Sequence, residues 1–507
     1  MSKKKQVASK KLQVLQKTPS GIPGLDEITF GGLPTGRPTL ICGAAGCGKT
    51  LFSLEFIIRG ALNYNEPGVF IAFEEKAEEL TANVASLGFD LGALQAQNKI
   101  RIDHIHIDRS EIEETGEYDL EGLFIRMNYA IDAIGAKRVV LDTIENLFSG
   151  LSNQAILRSE LRRLFQWLKN KGVTAVITGE RGDTTLTKQG LEEYVSDCVI
   201  VLDHRVTGEI STRRLRIVKY RGSLHGTNEY PFLIDDEGIS VLPITSLVLN
   251  KPVSSAIVST GIPALNKMLG KNGFFKGSSI LVSGTAGTGK TSIAASFAYE
   301  ACKNNERCLF FAFEESPQQI VRNMKSIGIN FDPYIKKNTL QFYASRPTIY
   351  GLEMHLLAIH KAIRKFKPSL VIMDPISNFV SIGNFSEVRA MLVRLIDFLQ
   401  QEQVTVMFTA LSINIGINEQ TDDGVSSLVD SWILLKDIET NGERNKGLYI
   451  IKSRGMDHSK QIREFIISSK GINIVDVYIG PGGILTGSAR ETHILQEKQM
   501  SHKTAKK

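Results

Sequence analysis

Short apolar runs that end in glycine-rich loops recur along the chain. Each is followed by a stretch whose apolar positions fall every three or four residues. Pro38–Cys42 and Ser279–Ser283 are the sharpest such runs. Their length and bounding glycines predict buried strands, and the periodicity after them predicts helices over Leu51–Leu62 and Ser292–Cys302. Further apolar runs at Val69–Phe73, Val139–Leu141, Val173–Thr178 and Val199–Leu202 predict more strands. Strands alternating with amphipathic helices predict an α/β fold, a mainly parallel sheet with helices on both faces.

The pattern is written twice. Ser20-Gly-Ile-Pro-Gly-Leu-Asp26 returns as Thr260-Gly-Ile-Pro-Ala-Leu-Asn266, and Phe70-Ile-Ala-Phe-Glu-Glu-Lys76 returns as Phe310-Phe-Ala-Phe-Glu-Glu-Ser316. Val139-Val-Leu-Asp-Thr-Ile144 returns as Val371-Ile-Met-Asp-Pro-Ile376, and Lys219-Tyr-Arg-Gly222 as Lys452-Ser-Arg-Gly455. Repeated elements in the same order imply a duplicated domain. The expected division is a basic N-terminus over 1–18, a first domain over 19–243 and a linker over 244–259. A second domain over 260–488 and a flexible tail over 489–507 complete it. Pro243, Pro252 and a serine cluster mark the linker.

Composition changes this picture little. A chain of 507 residues with 42% hydrophobic residues is long enough for roughly two to four packed domains. The net charge of +6 gives no strong pull toward nucleic acid. Five cysteines without a Cys-x-x-Cys pair argue against a disulfide framework or a zinc site. No apolar run reaches the roughly 18 residues of a membrane span, and no signal peptide follows Met1, so a cytoplasmic location without membrane association is expected.

The chemistry is carried by two glycine loops. One is Gly43, Ala44, Ala45, Gly46, Cys47, Gly48, Lys49 and Thr50, running on into Leu51. The other is Gly284, Thr285, Ala286, Gly287, Thr288, Gly289, Lys290 and Thr291, running on into Ser292. Each follows a predicted strand and opens a predicted helix, the context a phosphate loop requires. Backbone N–H groups there would cradle the phosphates of ATP, Lys49 and Lys290 would reach the β- and γ-phosphates, and Thr50 and Thr291 would meet Mg²⁺. Asp142 and Asp374 end apolar strands and are candidates for the metal's shell. Glu74-Glu75 and Glu314-Glu315 emerge at the carboxyl edge of the sheet, where open α/β folds bind ligands. One of each pair is a candidate catalytic base, with its neighbour tuning it by like charge.

This set of motifs, two tandem RecA-like P-loop domains with paired glutamates and Lys-x-Arg-Gly segments, resembles the KaiC family, ATPases and autokinases of the cyanobacterial circadian clock. The resemblance spans about Pro19 to Ser488. It implies a homo-hexamer of stacked rings with ATP between neighbouring subunits. It also implies ATP contacts from the adjacent subunit through Lys219, Arg221 and His225 in the first domain and Lys452, Arg454 and His458 in the second. The family autophosphorylates on an adjacent Ser-Thr pair, and Ser426-Ser427 stand at that place, where the first domain has Glu193 and Tyr194. Thr421 and Asp422 match the family's supporting pair. The implied activity is ATP hydrolysis oriented by Glu74 in the first domain. In the second, the implied activity is serine/threonine autokinase chemistry with Glu314 as base. A KaiB-like partner is compatible with the first ring. The short tail after Ile484-Leu-Thr-Gly-Ser488 argues against a KaiA-type activator. Competing readings are a RecA- or DnaB-type DNA-dependent ATPase or recombinase, which needs basic channel loops that are not seen between the motifs, and a scaffold that binds ATP only to assemble.

Overall fold

The computed structural model describes residues 15–105, 120–148, 154–182, 185–187, 190, 196–207, 210–243, 253–349, 351–415, 418–421, 425–440, 442–480 and 483–504. Glu193, Tyr194 and Asp422 lie outside the described residues, as do both extreme termini and most of the expected linker. Two compact units form, Met1–Thr245 and Ser246–Lys507.

The first unit is built on strands β1 (Pro38–Gly43), β2 (Gly68–Ala72), β3 (Ile100–His104), β4 (Arg138–Asp142), β5 (Thr174–Glu180), β6 (Cys198–Thr207), β7 (Ile210–Tyr220), β8 (Glu229–Asp235) and β9 (Gly238–Val241). Their order is β9-β8-β7-β6-β1-β5-β4-β2-β3. From β6 to β3 the pairing is parallel, and β7 to β9 form an antiparallel extension. Helices α1 (Lys49–Asn63), α2 (Ala77–Ala85), α3 (Glu121–Ile134) and α4 (Gln154–Lys171) accompany it.

Alternation along the strands explains why both faces are covered. Ile41, Phe70 and Val140 join one core with Phe52 and Phe56 of α1. Leu40, Val69 and Leu141 join another with Met127 of α3 and Leu161 of α4. A period of two puts successive side chains on opposite faces, so strands apolar throughout need helices on each side. Each fully buried leucine or phenylalanine contributes about 1.5–3 kcal/mol.

The second unit repeats the plan. Its strands are β10 (Ser279–Gly284), β11 (Cys308–Ala312), β12 (Leu340–Ala344), β13 (Leu370–Asp374), β14 (Thr405–Ile415), β15 (Asn418–Thr421), β16 (Ser431–Thr440), β17 (Glu443–Ser453), β18 (Arg463–Ser468) and β19 (Gly471–Asp476). The order is β12-β11-β13-β14-β10-β16-β17-β18-β19, with β15 on β14. Its helices include α5 (Lys290–Lys303), α6 (Pro317–Ser326), α7 (Leu352–Phe366) and α8 (Phe385–Gln401). The sheets are thus parallel in their centres and antiparallel along one side.

Order extends past the expected boundaries. Lys17–Thr18 pairs with Leu33–Pro34, and Ile257–Val258 pairs with Phe274–Phe275. The segment expected as a tail continues as helix α9 (Gly487–Thr504). Glu464 accepts from the Gly487 backbone N–H at 2.9 Å and pairs with Arg490 at 2.8 Å, anchoring the start of that helix.

Candidate functional site

In both units the first parallel strand runs into a glycine loop and then a helix. Gly46 (φ 73°) and Gly48 (φ 102°) take left-handed backbone conformations, as do Gly287 (φ 78°) and Gly289 (φ 99°). Only glycine adopts these without cost, and they turn the loop back on itself. No side chain caps the amino end of α1 or α5. With no side-chain cap, the amino ends of these helices suit a phosphate. Lys49 donates to the carbonyls of Gly43 (2.9 Å) and Ala44 (3.1 Å), and Lys290 to those of Gly284 (2.9 Å) and Thr285 (2.8 Å). Each ammonium is thus held inside its own loop. Burial pushes the Lys290 ammonium down, against the opposing charges of Asp374 and Glu314.

Asp142 and Asp374 stand at the ends of β4 and β13, both buried. Each accepts from a threonine of the next strand, Thr178 and Thr409, and each is hydrogen-bonded by the loop threonine, Thr50 or Thr291. Burial pushes both carboxyls up, and these hydroxyl donors oppose it. A threonine hydroxyl beside a carboxylate at the mouth of a phosphate cradle is the donor set that Mg²⁺ takes when phosphates complete its shell. Among the described residues no cluster of three or more His, Cys, Asp or Glu side chains forms a metal site on its own.

The paired glutamates have different surroundings. In each unit an asparagine on the following helix donates to the second member, Asn83 to Glu75 at 3.0 Å and Asn323 to Glu315 at 3.3 Å. Burial pushes the Glu75 carboxyl up, and the charges of Asp142, Glu79 and Glu74 add to that. Glu74 and Glu314 are exposed at the sheet edge. Glu74 accepts from Asn146 Nδ2 at 2.7 Å and Thr143 Oγ1 at 3.3 Å.

Sequence reasoning missed Asn146, Thr143, Thr178, Thr409, Asn83 and Asn323. A signal existed for some of them, since Thr174-x-x-x-Thr178 and Thr405-x-x-x-Thr409 recur in both copies, as do Asp142-x-x-x-Asn146 and Asp374-x-x-x-Asn378.

The Lys-x-Arg-Gly segments lie elsewhere. β6 runs parallel to β1 with Thr39 beside Cys198, and β7 runs back so that Lys219 pairs with Val199. Lys219 and Arg221 therefore sit at the amino edge of the sheet, opposite the phosphate loop. The second unit has the same arrangement, with Trp432 beside Lys452 and Leu281. There the cations meet the serines. Lys452 Nζ donates to the Ser426 carbonyl (2.7 Å), Arg454 Nη2 to the Ser427 carbonyl (2.9 Å) and Arg389 Nη2 to Ser427 Oγ (3.5 Å). Val425–Ser427 forms a single 3₁₀ turn, with the Ser427 side chain exposed and Ser426 half-buried. His225 Nδ1 lies 3.0 Å from the Gly226 carbonyl, and the His458 backbone bridges to Leu269. Among the described residues no helix is long and apolar enough to cross a membrane.

Comparison with known proteins accounts for both halves. The sequence profile of the KaiC ATPases matches residues 18–246 and again 258–477. The chain is 60% identical over 489 residues to the circadian clock protein KaiC2 of Synechocystis, covering 96% of this chain and 86% of that protein. It is 38% identical over 492 residues to the circadian clock oscillator protein KaiC of Synechococcus elongatus, covering 96% and 95% of the two chains. It is 37% identical over 493 residues to the KaiC of Parathermosynechococcus lividus, covering 97% and 91%. Two RecA-like units with a complete phosphate loop in each, matched by the family over nearly their whole length, make this chain an ATP-binding member of the KaiC ATPase family.

Proposed function

We propose that this protein hydrolyses ATP in its first unit and transfers the γ-phosphoryl group of ATP to Ser427 or Ser426 in its second, as a signalling or timing ATPase. The observation that carries the second half is the sheet geometry. Glu314 and the phosphate loop follow the carboxyl ends of β11 and β10, whereas the serine turn precedes the amino end of β16. Parallel strands of this length hold those ends about 13 Å apart before the turn itself is counted. A serine of one copy therefore meets the nucleotide of a neighbouring copy, which calls for a ring. A homo-hexamer of stacked double rings satisfies this for both units, with Lys219, Arg221, His225, Lys452, Arg454 and His458 placed toward the adjacent subunit's ATP.

The step is an in-line displacement. The serine Oγ forms a bond to the γ-phosphorus, the bond to the β-bridging oxygen breaks, and ADP leaves. The serine proton passes to the Glu314 carboxylate. Lys290 and the backbone N–H groups at the start of α5 hold the phosphates, and Lys452 and Arg454 hold the serine turn by its carbonyls. Mg²⁺, held by Thr291 and Asp374 or by Thr50 and Asp142, would withdraw charge from the phosphate oxygens. In the first unit Glu74 orients water instead. A transferred phosphate adds roughly −1.5 to −2 charge beside Arg389, Lys452 and Arg454, enough to alter packing at a subunit interface.

The names of the relatives support a role in circadian timing, and a KaiB-like partner and a cytoplasmic location accord with that role. Incubation with ATP followed by phosphopeptide mapping tests the reading. Phosphate on Ser426 or Ser427 that disappears in Glu314→Gln is the expected result. ATP turnover stimulated by DNA, with no phosphoserine, would overturn it in favour of a DNA-dependent ATPase.

A further inference from the structure

We propose that Asn146, assisted by Thr143, is a positioning residue that commits Glu74 to orienting water, and that redirection of its counterpart Asn378 leaves Glu314 free to meet a serine hydroxyl. The inference rests on the assignment of Glu74 and Glu314 as the paired bases.

The two turns begin from one frame. The Phe73 N–H donates to the Asp142 carbonyl at 2.9 Å, and the Phe313 N–H to the Asp374 carbonyl at 2.9 Å. Both turns are pinned again at their fourth residue. Glu145 accepts from the Glu180 N–H at 2.6 Å, and Ser377 accepts from the Leu411 N–H at 2.7 Å. Asn146 and Asn378 therefore start from matching places but end on different acceptors. Asn146 Nδ2 donates to Glu74 Oε1 at 2.7 Å, whereas Asn378 Nδ2 donates to the Phe313 backbone carbonyl at 3.4 Å. Thr143 adds a second donor to Glu74 Oε1 at 3.3 Å, and its counterpart Pro375 has no hydroxyl and no N–H. Among the described residues, Glu314 accepts no hydrogen bond.

Both donors of the first unit converge on one oxygen. Oε1 is occupied, the carboxylate is held in one rotamer, and Oε2 is left as the single acceptor. Water is small and untethered, so its attack geometry comes entirely from the group that holds it. A fixed carboxylate supplies that geometry in advance. A serine arrives already oriented, because Lys452 and Arg454 hold its turn. A base facing such a nucleophile has to adjust to it, and a carboxylate without side-chain donors keeps that freedom. One asparagine rotamer and one Thr/Pro exchange thus separate a water site from an alcohol site on the same backbone.

The test uses the full chain in a Lys290→Ala background, so that steady-state phosphate release reports the first unit. Glu74→Gln is expected to lower kcat about 100-fold. Asn146→Ala should lower it about tenfold with KM unchanged within about twofold, and Glu74→Gln with Asn146→Ala should be no slower than Glu74→Gln alone. Without the background change, Asn378→Ala should leave phosphoserine formation within about twofold of the parent. If Glu74→Gln is deleterious but Asn146→Ala is silent, raises only KM, or multiplies with Glu74→Gln, the positioning role is wrong while the base assignment stands. Loss of phosphoserine in Asn378→Ala would likewise overturn the asymmetry. A Glu74→Gln enzyme of parental rate would remove the base assignment itself, and this inference with it.

Discussion

The two units share their glycine loops and loop lysines and differ in the donors around their paired glutamates. Loop, lysine, threonine and strand-end aspartate are arranged alike in both, down to the threonine that donates to each aspartate. The differences lie beside the glutamates and at the serine turn. The first unit clamps Glu74 through Asn146, and the second leaves Glu314 open and holds a serine turn with Lys452 and Arg454. Duplication thus preserved the part that any phosphoryl transfer needs, since charge on the γ-phosphate is the same whichever oxygen attacks. The part that, in the function proposed above, would choose between water and alcohol was free to change.

The units also differ in how they close their cores. Arg138 at the start of β4 is fully buried, and its guanidinium donates to Glu66 (2.7 Å), the Phe56 carbonyl (2.8 Å) and the Pro19 carbonyl (2.7 Å). Leu370 takes that place in β13 and packs in the apolar core. One unit therefore relies on a satisfied ionic clamp where the other uses plain burial.

The sharpest way to break the comparison is to remove what the units share. Lys49→Ala with Lys290→Ala should lower ATP consumption about 1,000-fold, or about 4 kcal/mol of transition-state stabilisation. Continuous phosphate-release measurement checks this, and a parental rate would sink the common phosphate grip. The core difference comes next. Arg138→Leu should destabilise the first unit by about 3 kcal/mol, because it strands the buried Phe56 carbonyl and takes the donor from the half-buried Glu66 carboxylate and Pro19 carbonyl. Urea unfolding read through Trp167 in a Trp432→Phe chain reports that unit alone, and an unchanged midpoint would show that the clamp is dispensable.

A third test concerns the second unit only. His360 stacks on Phe398 at 3.8 Å, and burial, with Arg364 nearby, pushes its imidazole down from 6.5 to about 3. The folded state therefore disfavours the proton. Stability is complete above pH 6.5 and is lost as pH falls from there toward 3. At pH 5 the loss should be about 2 kcal/mol. Unfolding read through Trp432 in a Trp167→Phe chain at pH 7 and 5 checks it, and His360→Gln should flatten that difference. The smallest effect is expected at the serine turn. Arg454→Ala should slow phosphoserine formation about tenfold, or about 1.4 kcal/mol, while first-unit hydrolysis measured in the Lys290→Ala background stays at its parental rate. Equal loss in both units would mean that Arg454 supports the assembly in general.

Much of this was legible along the chain. Predicted helices Leu51–Leu62 and Ser292–Cys302 appear as Lys49–Asn63 and Lys290–Lys303, and the strand at Val139–Leu141 as Arg138–Asp142. The helices begin earlier than their apolar periodicity because the loop lysine and threonine already belong to the first turn. Arg138 was not legible as a core residue, since a charged side chain reads as exposed until its partners are known. Lys17–Thr18 and Ile257–Val258 were read as terminus and linker, because a two-residue strand has no periodicity of its own.

By itself the sequence determined the duplication, the phosphate loops, the acidic residues at the sheet edge and the alternating fold, because each depends on neighbours within a few residues. Only the tertiary structure decided which donor each carboxylate meets. Asn146 reaching Glu74, Asn378 turning to a carbonyl, and Lys452 holding Ser426 join residues that are 72, 65 and 26 positions apart. Strand order and side-chain rotamer set those meetings, and neither is written in local spacing.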